Sequence, residues 1–483
     1  MTNTSASSGS PGPSTAPVPP TSPTAPTLPD AGYSELFSRD LIRLTIGTLV
    51  LLGCNAFEIV GSATVMPAVL DDLGGVGLYG SAVAASIVGA VLSAPFGGRL
   101  ADRFDTLPPL LGALGLFAIG LVGCTLAPSM AALVAARFVM GLGIGSTLTL
   151  QLVIIARYVP VELRPKLLAV VSVVFIVPGL IGPTVTSTVS ESVGWRWVFG
   201  GVVPLLAVCV VLLVPEIRRR PHLEEAGATE PDGMPTWGPF LLAGGLGVTT
   251  IAGGAGDARW LVLAAAGLAA LVAGARATMP SGTWTARRGM PAAVACALAA
   301  SGSYLTVEAF LPLMLQEIKG QSLFRAGLPL TFAAFFWAAG AWFQARIGEV
   351  RRPVGAMSGA LVSCGGLLLA ASLAFEAVPF WLAYPATALG SFGCGLAYTL
   401  CQAIAVEWAP PGGEGAATAS VQLANLLGTA LGTCGGAIVI ARLSDDLRLA
   451  VGLTMLVAAG LSLVAAFAAR RLPTERPVAL DPG

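Results

Sequence analysis

The chain has 483 residues, 55% of them hydrophobic and 11% charged, against about 25% charged in an ordinary soluble domain. Mean hydropathy is +0.81 and the formal net charge is zero. Such a composition leaves too little polar surface for a water-soluble globule, and the charge balance gives no electrostatic footprint for nucleic acid.

Residues 1–34 are rich in Ser, Thr, Pro and Ala, with Asp30 their single charge. They lack the basic-then-apolar pattern of a signal peptide and are expected to form a disordered cytoplasmic tail, taken to residue 38. Six apolar stretches follow, near 42–66, 78–98, 107–127, 130–156, 166–190 and 195–214. Each is close to the roughly 20 residues that an α-helix needs to cross a bilayer. A polar linker over 215–237 carries Arg218, Arg219 and Arg220 and is read as a topology signal. Two short Gly-rich stretches come next, near 238–256 and 259–277, with Trp237 and Trp260 where interfacial aromatics belong. Six more lie near 290–316, 324–345, 354–375, 379–406, 415–440 and 449–469, before a tail over 471–483. The expected fold is therefore an all-α polytopic membrane protein of fourteen transmembrane helices: a six-helix bundle over 39–214, an inserted helix pair over 238–277, and a second six-helix bundle over 278–470.

Basic residues orient this array. With the N-terminus inside, nineteen fall in inner loops and tails and six in outer loops, leaving Arg137 alone inside a span. That bias of about threefold fits an even number of spans with both termini cytoplasmic. The eight cysteines (Cys54, Cys124, Cys209, Cys296, Cys364, Cys394, Cys401 and Cys434) all lie in apolar spans without zinc or disulfide spacing, so they read as packing residues. The single histidine, His222, sits in the linker. No metal site, cofactor or enzyme chemistry is expected. Twenty-four Arg against two Lys, with abundant Ala and Gly, suggests a high-GC bacterial genome and hence the inner membrane.

The two bundles repeat each other. Met66-Pro67-Ala68-Val69-Leu70-Asp71-Asp72 and Leu311-Pro312-Leu313-Met314-Leu315-Gln316-Glu317 both end a span in acid after a proline, 245 residues apart. Gly-rich runs at Gly141–Gly145 and Gly390–Gly395 each precede a Gln (Gln151, Gln402) and then a proline (Pro160, Pro410). Duplicated halves are how many secondary transporters build alternating access around a midplane site.

Ionisable residues inside a span are costly and mark function. Glu58 lies about 15 residues into the first span, or roughly 22 Å at 1.5 Å per residue. Arg137 lies at similar depth in the fourth. The two are expected to approach each other, as a proton-binding carboxylate and its regulator or as a static pair. Glu308 is a possible second proton site, or a side chain that snorkels to the interface. Asn55, Gln151, Gln402, Gln422 and Asn425 are candidates for cavity lining or for interhelical bonds.

Four motifs resemble the major facilitator superfamily. Gly98-Arg99-Leu100-Ala101-Asp102-Arg103 resembles its loop motif between the second and third spans, although Phe104-Asp105-Thr106-Leu107 replaces the usual basic tail. Arg137-Phe138-Val139-Met140-Gly141-Leu142-Gly143 resembles the fourth-span motif, with Met140 where Gln is usual. Pro178-Gly179-Leu180-Ile181-Gly182-Pro183 resembles the fifth-span motif associated with antiporters, with Thr186-Ser187 in place of its trailing glycines. Gly194-Trp195-Arg196-Trp197-Val198-Phe199 is similar to the start of the sixth span in the fourteen-helix drug:proton antiporter group. The resemblance covers about residues 40–470. It implies export of amphipathic small molecules in exchange for protons, driven by the proton gradient, with a monomer sufficing. Gly98, Asp102 and Arg103 would then form a conformational latch, and Pro178, Gly179, Gly182 and Pro183 a bendable antiporter helix. Import of a metabolite with protons, or transport of a lipid or lipid precursor, are the alternatives.

Overall fold

The computed structural model describes residues 1, 33–160, 163–220, 237–254, 259–344, 346–348, 351–408 and 414–473; the side chains of several helical residues, Asp102 among them, lie outside the described set. The expected disordered segment and most of the linker also lie outside it. The described part of the N-terminal tail includes a 3-10 turn at Tyr33–Phe37. Leu36 is buried there, and its carbonyl accepts a hydrogen bond from Thr45 Oγ1 at 2.9 Å.

Away from water a backbone must satisfy its own polar groups, so long apolar runs form helices. The helices are α1 (Ile42–Leu73), α2 (Val76–Phe104), α3 (Leu107–Thr125), α4 (Met130–Tyr158), α5 (Arg164–Val193), α6 (Arg196–Gly200), α7 (Val203–Arg219), α8 (Trp237–Gly254), α9 (Arg259–Thr278), α10 (Met290–Leu313), α11 (Leu323–Gln344), α12 (Arg352–Ser372), α13 (Ala383–Glu407), α14 (Glu414–Arg442) and α15 (Leu447–Ala469). Proline opens α3, α5, α7, α10 and α12, where its missing N–H costs nothing. Ser129 caps α4 and Asp446 caps α15 through their side-chain oxygens.

Twelve helices among the described residues are long and apolar enough to cross a membrane, against the fourteen expected. The two outside that set are α5 and α8, each of which includes residues whose side chains lie outside the described set. The expected sixth span is interrupted at Gly201, where α6 gives way to α7, although together they count as one crossing. A π-helical turn over Met314–Ile318 extends α10 beyond Pro312. Arg137 is not the only basic group within a span: α4 runs on to Tyr158, so Arg157 lies in its last turn and is buried.

Two bundles result. In the first, α1 packs on α5 and α7, and α4 on α2 and α3; in the second, α10 packs on α13, α14 and α15, and α12 on α13 and α15. Close backbone approach between α2 and α4 requires glycine: a Cβ on Gly141 would sit 2.0 Å from the Ser86 carbonyl oxygen. The bundles meet along α2 with α14 and α5 with α11, with smaller contacts from α1 to α10 and α11. Gly80 lies against Ala437, and Tyr79 and Phe310 have ring centroids 6.3 Å apart. The pair α8–α9 packs beside α2 and α14.

Candidate functional site

The buried centre of the first bundle is an arginine with four partners. Arg137 on α4 has only 3% of its side chain exposed, as does Glu58 on α1. Its Nη1 lies 3.4 Å from Glu58 Oε1. Its Nε donates to the Ala82 carbonyl at 2.5 Å, and its Nη2 donates to Ser62 Oγ at 3.2 Å and Ser86 Oγ at 3.1 Å. Two helices, α1 and α2, therefore hold the guanidinium of α4, and most of its donors are used. Glu58 and Ser62 border a gap, too narrow for a water molecule, lined also by Phe57, Leu121, Val198, Phe199 and Val202. The carboxylate thus faces α3 and the α6–α7 junction, inside its own bundle.

That junction is clamped. Asp72 Oδ2, in the last turn of α1, accepts from Arg196 Nη1 at 2.8 Å and Trp195 Nε1 at 3.0 Å, while Arg196 Nη2 reaches the Ala127 carbonyl at 3.3 Å. The Trp195-Arg196 pair of the sixth-span motif fastens α1, the α3–α4 turn and α6 at one end of the bundle.

The remaining first-half residues separate into local ties. Asn55 and Gln151 are both buried. Thr147 Oγ1 donates to Asn55 Oδ1 at 3.3 Å, and Gln151 Nε2 donates to the Thr48 carbonyl at 3.0 Å, joining α1 to α4. Asn55 Nδ2 is buried and has no hydrogen-bond partner among the described residues. At the other end of α2, Gly98 is half-buried beside Thr149 and Arg103 is exposed with its guanidinium 5.3 Å from the Phe104 ring centroid. The Asp102 side chain lies outside the described residues. Arg157, expected in a loop, donates from Nη1 to the Ala101 carbonyl at 3.0 Å and to Thr106 Oγ1 at 3.1 Å. It pins the end of α2 to the start of α3. On α5, Pro178, Gly179, Gly182 and Pro183 are all buried. A Cβ on Gly179 would lie 2.4 Å from Ala334 Cβ of α11, and one on Gly327 of α11 would lie 3.0 Å from Pro183 Cβ. This motif forms part of the seam between the halves.

The second bundle holds Glu308, half-buried on α10 and engaged in no hydrogen bond or ion pair among the described residues. One turn earlier, the hydroxyl of Tyr304 is buried and makes no hydrogen bond among the described residues. Its ring begins a row that the sequence does not announce: Tyr304 to Trp337 at 5.8 Å and Trp337 to Tyr398 at 6.1 Å between centroids, on α10, α11 and α13. Tyr398 Oη donates to Gln422 Oε1 at 3.2 Å, and Asn425 Nδ2 donates to Ser301 Oγ at 3.1 Å. Gln402 and Asn425 are half-buried and Gln422 is exposed. Among the described residues no three His, Cys, Asp or Glu side chains are placed to hold a metal.

Known proteins place this arrangement. The family model described as Major Facilitator Superfamily matches residues 48–384. The dehydrocurvularin exporter of Aspergillus terreus is 28% identical over 380 residues, covering 74% of this chain and 65% of the exporter, so the chain spans just under two thirds of that relative. The efflux pump roqT of Penicillium rubens is 26% identical over 414 residues, covering 81% of this chain and 76% of the pump. The fold matches the crystal structure of an auto inhibited POT family peptide transporter with a TM-score of 0.68, at 15% identity over 89% of this chain and 96% of that one. These curated relatives are fungal; they support a multi-pass membrane protein and lend nothing to the bacterial inner membrane expected from composition. The family is one of transporters, not enzymes, and with its model matching well over half of the sequence, the chain belongs to the major facilitator superfamily.

Proposed function

We propose that the chain exports amphipathic small molecules in exchange for protons, as a member of the fourteen-helix drug:proton antiporter group. The observation that carries this reading is the buried Glu58–Arg137 pair with its two serines. When Glu58 is ionised the pair is neutral overall. When Glu58 takes a proton, a lone cation remains, still held by Ala82, Ser62 and Ser86. A buried pair whose partner keeps other bonds can titrate without stranding the arginine. The exporters and efflux pumps among its relatives support the direction of transport.

Glu308 is the second proton site in this reading. The row Tyr304–Trp337–Tyr398, with Gln402, Gln422 and Asn425, offers aromatic faces beside a few polar groups, which suits an amphipathic substrate. Asn55 and Gln151 act in it through their ties between α1 and α4. Gly98, Asp102 and Arg103 form the latch, and Pro178, Gly179, Gly182 and Pro183 the bending seam. The protein divides into bundles over 39–214 and 278–470, a linker over 215–237 and an inserted pair over 238–277.

Contacts at both ends of α8–α9 support fourteen crossings. Phe240, early in α8, packs at a tilt against Phe96 toward the C-terminal end of α2, with centroids 5.2 Å apart. Trp260, early in α9, lies under Arg442 at the end of α14, 4.5 Å from guanidinium to ring centroid. Since Gly80 and Ala437 bring the start of α2 to the end of α14, these contacts sit near opposite ends of the bundle.

Efflux of a fluorescent amphipathic cation from overexpressing cells, with and without an uncoupler, tests the reading. Uncoupler-sensitive efflux is expected; proton-driven accumulation in the cell would overturn it.

A further inference from the structure

A cavity of about 370 Å³ lies at the end of the second bundle, lined by Thr285, Ala286, Arg287, Arg288 and Arg471. It is an open hollow, and Arg287, Arg288 and Arg471 are all exposed at it. Three of its five lining residues are arginines, and the segments that build it, 280–289 and 467–473, contain no Asp or Glu. Neither Arg287 nor Arg288 makes an ion pair among the described residues. The loop is tightly wound. Arg287 N donates to the Gly282 carbonyl and Ala286 N to the Thr283 carbonyl, both at 3.0 Å. Arg471 Nη1 donates to the Thr285 carbonyl and brings the end of α15 onto the loop.

Ala286 adopts a φ of +46°, a left-handed conformation that a residue with a Cβ adopts at a cost. That turn sets Arg287 and Arg288 beside Arg471 at the cavity. Trp284 and Phe467 flank it, 47% and 55% exposed, and Arg471 lies over the Phe467 ring at 5.2 Å. Exposed aromatics at the end of a membrane bundle mark the headgroup level. Guanidinium groups bind phosphate oxygens with matched geometry.

We propose that this cavity binds the phosphate of an anionic lipid headgroup, with Arg287, Arg288 and Arg471 as its ligands and Trp284 and Phe467 beside the acyl chains. The site requires only that this end of the bundle lie at a membrane surface, and it stands whether or not the protein exchanges protons.

Native mass spectrometry of the delipidated full chain tests it, with phosphatidylglycerol, chain-matched phosphatidylcholine and inorganic phosphate as probes. Phosphatidylglycerol should bind at least about tenfold more tightly than phosphatidylcholine. Arg287→Ala and Arg471→Ala should each weaken it roughly fivefold, or about 1 kcal/mol. Arg470→Ala removes the same charge from an exposed residue outside the lining and should leave affinity within about twofold. Thermal unfolding of each variant confirms that it is folded. Equal losses from Arg470→Ala would reduce the effect to diffuse surface charge and overturn the cavity assignment. Displacement of the lipid by inorganic phosphate at similar concentrations would overturn the lipid as the source of the phosphate.

Discussion

Arg137 Nη1 lies 3.4 Å from Glu58 Oε1, yet the same guanidinium also donates to Ala82, Ser62 and Ser86. The arginine is thus the fixed member of the pair and the glutamate the dependent one. Removing them should have different consequences. Arg137→Ala strands a carboxylate in a site too tight for water and breaks bonds to two helices. A broken buried pair costs about 3–5 kcal/mol. The variant should express poorly and unfold at lower temperature in detergent, with transport lost in whatever protein is recovered. Arg137→Lys keeps the charge but cannot reach all four acceptors, and should fold better than it transports. Wild-type thermal stability in Arg137→Ala would show that the pair contributes nothing to the fold.

Arg157 gives a purely structural comparison. Its Nη1 bonds to the Ala101 carbonyl and Thr106 Oγ1 fix the α2–α3 turn. Hydrogen bonds from a charged donor are worth about 1.5–3 kcal/mol each. Arg157→Ala should therefore lower the unfolding temperature by several degrees while leaving the proton dependence of transport unchanged. An altered coupling ratio with unchanged stability would reassign it to the mechanism.

The difference between these two arginines shows what sequence can and cannot reveal. A charge in the middle of an apolar run stands out because its burial is so costly, and so Glu58, Arg137 and Glu308 are legible in the sequence alone. Arg157 sits at the end of its run, where a charge is ordinary, and only the extension of α4 to Tyr158 reveals its burial. Aromatic residues inside spans carry no such signal. Tyr304, Trp337 and Tyr398 look like any lipid-facing or core residue until three helices bring their rings together. The interruption at Gly201 and the π turn after Pro312 are equally silent, since each changes hydrogen bonding without changing hydropathy.

The seam between the halves can be tested by size. A methyl group at Gly179 would fall 2.4 Å from Ala334 Cβ, and overpacking of this kind costs about 1–3 kcal/mol. Gly179→Ala should slow transport by pushing α5 from α11. Adding Ala334→Gly should restore it, because the second change vacates the space that the first one fills. Equal activity in the single variant and the wild type would mean that this contact is not made during the cycle.

Topology has a chemical test in the α8–α9 connection. Asp257 lies outside the described residues, but its loop is expected on the outside. In a background lacking the eight native cysteines, Asp257→Cys should react with an impermeant thiol reagent added to intact cells. Labelling that requires permeabilisation would rule out fourteen crossings with cytoplasmic termini.

In the proposed exchange, coupling rests on Glu58. Glu58→Gln keeps the size and the hydrogen bonding of a protonated carboxyl but cannot release a proton. Arg137 retains Ala82, Ser62 and Ser86 as acceptors, so the variant should fold and still bind substrate. Proton-driven efflux should be abolished, while exchange of substrate down its own gradient continues. Glu308→Gln separates the two carboxyl groups. Glu308 has no bonded partner among the described residues, so its loss disturbs little structure. A comparable defect would make it a second proton site, and a mild one would leave Glu58 as the coupling residue. The decisive measurement is substrate-induced proton flux in proteoliposomes under an imposed pH gradient. Flux at the wild-type level from Glu58→Gln would make the Glu58–Arg137 pair structural and move the search for coupling to Glu308.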